Sequence, residues 1–214
     1  MSTLTKLALG AMGALRPRPA TGKSGKSIKL PAPDKRGGLP LMQALAKRRS
    51  SREFAHKPLQ LPVLSSLLWA AFGVNRRGGG RTAPSAIDAQ EIDVYVALPD
   101  GAYLYDAKAH ALRLVAASDL RRVTGYQDFV DEAPLDLVYV ADHRRMRLVP
   151  VAQRESYASA AAGAIAQNVY LYSASVGLAT VIRAWIDRNA IADALGLGHD
   201  QHVVLSQTVG YPKG

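Results

Sequence analysis

The chain has 214 residues, 48% hydrophobic and 21% charged, with a formal net charge of +10. That length supports one substantial core, and the lack of cysteine excludes a disulfide framework, a thiolate metal site and a cysteine nucleophile. Residues 1–38 carry eight Lys or Arg against Asp34 alone, while the rest carries 19 bases against 16 acids, so the excess charge belongs to the N-terminal segment and not to a nucleic-acid-binding body.

Residues 16–38 are rich in Pro, Gly, Ser, Lys and Arg and poor in large apolar residues, and the whole of 1–38 is read as a basic, disordered tail. Within it, 7–15 (LALGAMGAL) is an apolar stretch with the flavour of a secretory h-region. It has no small-x-small cleavage site and runs into Arg16-Pro17-Arg18-Pro19, so the expected localisation is cytoplasmic. No run approaches the ~20 apolar residues of a membrane span. Gly22 to Ser27 (GKSGKS) imitates a phosphate-binding loop, but the glycine needed five positions before Gly25 is Ala20 and no strand precedes it.

The spacing of Leu41, Met42 and Leu45 predicts a helix over 41–48. It delivers Arg48-Arg49-Ser50-Ser51-Arg52-Glu53-Phe54, three guanidinium groups and two hydroxyls within seven residues. Such a cluster is either a solvated helix end or a phosphate grip, because guanidinium forks match phosphate oxygens in pairs. A second helix is predicted over 62–72, opened by Pro62 and stopped at Gly73. The glycine-rich 75–80 and the turn Arg81-Thr82-Ala83-Pro84-Ser85-Ala86 lead into a strand at 92–98. Further strands are expected at 102–105 and 111–115 as a hairpin, then at 136–141, 180–182 and 202–209, with a short helix at 118–124. Residues 155–176, crowded with Ala and Gly, form a long helix suited to a core or a subunit interface. Helices interleaved with hairpin-linked strands give an α+β class with a mixed sheet. His199 and His202 lie in a loop without a metal-binding pattern, so no metal is expected.

Taken in order, the 48–54 run, the RTAPSA turn (81–86), EIDVYVAL (91–98), YLYDAK (103–108), GLATVIRAW (177–185) and the closing VGYP (209–212) resemble the nitroreductase family of flavoproteins. Within that family they are most similar to the SagB-type, thiazole/oxazoline-dehydrogenase-like branch. The resemblance covers 39–214 and implies a mainly antiparallel sheet flanked by helices, in an intertwined homodimer with FMN at the subunit interface. On that pattern Arg48, Arg49, Ser50 and Arg52 hold the phosphate and ribityl chain. Pro84, Ser85 and Ala86 come from the other subunit and face the flavin ring, and Gln127 meets its pyrimidine edge. Val181, Ile182, Arg183 and Ala184 present main chain to the reactive ring nitrogen, where an N–H donor stabilises negative charge. Arg183 stands where many relatives carry an acidic residue or glycine, which leaves a preference for anionic substrates open. Lys213 is the one base left after Gly-Tyr-Pro to complete the phosphate site. No catalytic side chain is needed, since the cofactor carries the chemistry.

The implied activity is hydride transfer from NAD(P)H through FMN to a small electron-poor acceptor, a nitroaromatic or a quinone. The alternative within the family is oxidation of a heterocycle. From another class comes binding of an anionic surface or nucleic acid through the basic tail, although the tail lacks the interleaved aromatics of single-strand binders.

Overall fold

The computed structural model describes residues 1–21 and 26–214, so most of the glycine-lysine run rejected as a phosphate loop lies outside the described residues. Among the described residues the α-helices are α1 (Thr3–Ala11), α2 (Leu41–Lys47), α3 (Leu61–Phe72), α4 (Val151–Val176) and α5 (Arg188–Leu195). The strands of the described residues are β1 (Arg18–Pro19), β2 (Ser27–Lys29), β3 (Ile92–Leu98), β4 (Gly101–Asp106), β5 (Ala111–Ala116), β6 (Ser118–Asp119), β7 (Leu135–Asp142), β8 (Ala179–Arg183) and β9 (Gln201–Gly210). Seven of them form one sheet in the order β2-β5-β4-β3-β7-β9-β8, and β1 pairs with β6 beside it. Each ladder of the seven-stranded sheet runs antiparallel. The expected α+β class and helix-flanked sheet are present.

Alternation along β3 explains the layering. Ile92, Val94 and Val96 face a core shared with Leu64, Leu67 and Leu68 of α3 and Ile165 and Val169 of α4. Tyr95 and Ala97 face the opposite core, with Ile191 and Leu195 of α5. β7 lies between β3 and β9 with both faces covered, and all eight of its residues are buried. Each large apolar side chain so enclosed contributes about 1.5–3 kcal/mol.

The N-terminal segment corrects the sequence expectation. The described residues of this segment, 1–21 and 26–38, are docked: α1 packs on the body, β1 pairs with β6, and β2 extends the main sheet by pairing with β5. Leu15 and Leu30 are buried, and the Lys6 ammonium is enclosed against Asp131 at 2.5 Å. Arg18 bonds Asp119 at 2.7 Å and the Asp131 carbonyl oxygen at 2.7 Å. Counting apolar residues underestimated this segment because Lys6 and Arg18 find carboxylate partners on the body. The short helix expected at 118–124 is also replaced, by β6 and one 3-10 turn at Arg121–Thr124. Among the described residues no helix is long and apolar enough to cross a membrane.

Candidate functional site

The end of α2 delivers the Arg48–Arg52 turn to the C-terminal end of α4. A cleft of about 540 Å³ opens there, lined by Lys47, Arg48, Arg49, Ser51, Tyr170 and Thr180 among others. Tyr170 organises it. Its hydroxyl accepts the Ile182 N–H at 3.0 Å and lies 2.8 Å from Ser50 Oγ, while the Arg48 guanidinium sits over its ring at 5.3 Å from the centroid. The Ser51 N–H donates to the Thr180 carbonyl at 2.9 Å. The turn is thereby tied to α4 through a side chain and to β8 through the backbone. The result is a concave surface with three cationic side chains and the hydroxyl of Ser51, while the Thr180 hydroxyl is spent inside the sheet on the Thr208 carbonyl.

Of the four residues read as a phosphate grip, Arg48 and Arg49 line this cleft and Ser50 braces it. Arg52 is exposed and is not among the residues lining the cleft. Lys213 donates its backbone N–H to the Glu53 carbonyl at 3.4 Å, and it is Pro212 that lines the cleft. Tyr170, Lys47 and Thr180 were missed by sequence reasoning. Tyr170 gave no signal beyond being an aromatic in an alanine-rich helix.

Along β8 the chain runs from the cleft toward Gln127. Val181 is buried against Phe54 and Phe129, and the Ile182 N–H is taken by Tyr170. Ala184 is exposed. Arg183 points inward: its guanidinium donates to Asp136 Oδ1 and to the Thr124 carbonyl, each at 2.6 Å, and only 5% of the residue is exposed. The question of an anionic-substrate contact is thus answered by geometry, because this charge is already neutralised in the interior. Burial lowers the guanidinium pKa, and burial likewise pushes the Asp136 carboxyl up against the pull of Arg183. Gly125 makes the packing possible, since a Cβ there would stand 1.9 Å from Arg183 Nη1 and 2.8 Å from Gln127 Oε1. Gln127 is therefore beside the end of β8, and its Oε1 is buried without a hydrogen-bond partner.

Pro84, Ser85 and Ala86 are elsewhere. They share a shallow hollow of about 310 Å³ with Tyr157, Ala160 and Ala161 near the start of α4. Tyr157 and Tyr170 are thirteen residues apart on one helix, about 20 Å at 1.5 Å per residue. The turn is held by Ser85 Oγ, which accepts the Gln90 N–H at 2.9 Å, and it places Ile87, Asp88 and Gln90 in the left-handed region. Ile87, at φ 51°, carries the strain least comfortably because it is β-branched.

A family model for nitroreductases matches residues 45–211, a span that includes the Arg48 turn, the hollow at Pro84 and the β8 segment. The chain belongs to the nitroreductase family. A solved structure assigned to the nitroreductases from Ralstonia eutropha JMP134 is 55% identical, covering 94% of this chain and 96% of its own with a TM-score of 0.90. A protein of Methanocaldococcus jannaschii carrying the same family name is 34% identical over 151 residues, 66% of this chain and 76% of its own length. A Desulfovibrio desulfuricans structure assigned to the family and solved in complex with FMN shares the fold, at 22% identity and a TM-score of 0.59 over 82% of this chain and 88% of its own. Membership makes this protein an oxidoreductase by family.

Proposed function

We propose that the protein is an FMN-dependent oxidoreductase that passes reducing equivalents from NAD(P)H to a small electron-poor acceptor. The observation that carries this reading is the Tyr170-centred cleft. Lys47, Arg48 and Arg49 give it the donor set that a dianionic phosphate requires, and Ser51 adds a hydroxyl donor. FMN would lie with its phosphate against these residues. Gln127 and the Val181–Ala184 backbone would take the ring end, with Pro84, Ser85 and Ala86 supplied by a second copy. When bound, FMN supplies hydride transfer between NAD(P)H and a nitroaromatic or quinone. The protein's part is to hold, orient and exclude water.

Distance supports a homodimer. One copy keeps the Pro84 hollow about 20 Å along α4 from Tyr170, so in this reading such a turn would reach the cleft from a second copy. An apolar stripe on α2 supports this, with Leu41, Met42 and Leu45 exposed at 62%, 74% and 43%. The competing reading, a basic tail that binds anionic surfaces, loses ground because Lys6 and Arg18 are spent on Asp131 and Asp119.

Flavin content tests the proposal. Purified wild-type chain is expected to carry or take up FMN, and Arg48→Ala with Arg49→Ala is expected to lose it while the apoprotein keeps its melting temperature. Full flavin occupancy in that double variant sinks the assignment. Steady-state turnover of NADPH with nitro compounds, set against oxygen-coupled oxidation of a heterocycle, separates the two family chemistries.

A further inference from the structure

Just beyond β8 the chain carries an aromatic pair that the proposed cofactor contacts leave unused. Trp185 is 53% exposed, and its ring lies 5.6 Å from that of Tyr126 with the planes inclined by 53°. The chain's other tryptophan, Trp69, is employed in the fold: its indole N–H donates to the Val74 carbonyl at 3.0 Å and the Lys35 ammonium sits over its ring. Tyr126, in contrast, is braced as a support for Trp185. Its hydroxyl bonds Asp187, which also caps α5 by accepting the Ala190 N–H at 3.0 Å. From the other side α1 closes in so tightly that a Cβ on Gly10 would stand 2.8 Å from Tyr126 Cε1. The backbone leading into Trp185 is pinned as well, because Arg188 donates to the Ala184 carbonyl at 3.3 Å.

An indole seated on a fixed tyrosine and otherwise open to solvent is a stacking surface whose ordering cost is met by the fold. Its position matters. Thr180 lines the cationic cleft, and Trp185 follows five residues later, about 16 Å along an extended chain. It stands next to Gln127 in sequence through Tyr126, at the end of the site opposite the arginines. We infer that Trp185 is a specificity-determining residue, a shelf on which planar aromatic electron acceptors stack. Tyr126 and Gly10 act as positioning residues behind it. The inference rests on the FMN reading above and narrows its acceptor to flat aromatic rings, selected by shape, in preference to compact acceptors that gain nothing from a π-face.

The test is equilibrium dialysis of 4-nitrobenzyl alcohol against the full FMN-loaded chain, with FMN affinity, elution volume and the KM for ferricyanide measured in parallel. Trp185→Ala is expected to weaken binding of the nitro compound about two- to tenfold, and Trp185→Phe to restore most of it. FMN affinity, elution volume and the ferricyanide KM are expected to stay unchanged in both. An unchanged dissociation constant for the nitro compound in Trp185→Ala overturns the shelf. So does a shift of that variant to a smaller species, which would assign Trp185 to a subunit contact. A wild-type chain that refuses FMN overturns the parent reading and the shelf with it, and flavin absorbance identifies that case separately.

Discussion

Arg183 and Asp136 meet at 2.6 Å with 5% and 0% of each residue exposed. Thr208 Oγ1 also donates to Asp136 Oδ1, while Asp136 Oδ2 and Arg183 Nε have no hydrogen-bond partner. The pair is thus two desolvated charges that depend on each other. Breaking a buried pair from one side leaves an uncompensated charge and costs about 3–5 kcal/mol. Asp136→Asn is therefore expected to destabilise the protein by about that much in urea unfolding. Replacing both partners, Asp136→Leu with Arg183→Met, should cost less than either single change, because no orphan charge remains. A single variant as stable as wild type would refute the argument.

Glu91 is fully buried, and no other residue hydrogen-bonds either carboxylate oxygen. Burial raises its pKa above the ordinary glutamate range, with its own backbone N–H and then Arg145 pulling the other way. A raised native pKa means that the folded state holds its proton more tightly than the unfolded chain. The associated stability is present below the unfolded value of about 4.3 and is lost as pH rises through the higher native value. Glu91→Gln removes that loss. Its melting temperature should track wild type near the bottom of this window and exceed it at neutral pH. Parallel curves across the whole range would show that Glu91 is solvated.

Much of this architecture is legible in the sequence where one periodicity governs. The 92–98 strand and the end of the second helix at Phe72 fall where alternation and Gly73 place them. α5 escaped because its eight residues, RNAIADAL, bury only Ala190, Ile191 and Leu195. Its one clear marker was Asp187 as N-cap. Arg183 shows a second limit. In a strand with both faces covered, sequence cannot say whether an arginine turns to a ligand or to a buried aspartate 47 positions away. Tyr170 shows a third, since its role arises from Ser50, Arg48 and Ile182, three partners that only the fold brings together.

The ion pair of Lys6 with Asp131 anchors α1, and the same ammonium donates to the Gln127 carbonyl at 2.9 Å. Arg122 at 3.3 Å and the N-terminal amine at 3.5 Å remain beside Asp131 if the lysine is lost. The cost of Lys6→Ala should therefore be moderate, about 1–3 kcal/mol. The sharper effect should be local. Limited proteolysis is expected to open the N-terminal segment of the variant before the body, whereas cleavage at the wild-type rate would show that α1 is held by other contacts.

Tyr170 and Ser50 offer the most direct check on the cleft. The Tyr170 hydroxyl accepts from Ile182 N–H and is therefore free to give its own proton to Ser50 Oγ. Tyr170→Phe keeps the ring under Arg48 but leaves the half-buried Ile182 N–H unpaired, at a cost of about 1–3 kcal/mol. Ser50→Ala removes only the outer link and should cost less. Because both act through one hydroxyl, the double variant is expected to be less damaged than the sum of the singles, with a coupling of about 0.5–3 kcal/mol. Each single variant should also release FMN faster than wild type, since the Arg48–Arg49 turn loses its tie to α4. Strictly additive unfolding energies, or flavin retention unaltered by both changes, would mean that the turn is fixed by its backbone bond from Ser51 to Thr180 and that the tyrosine is incidental to the site.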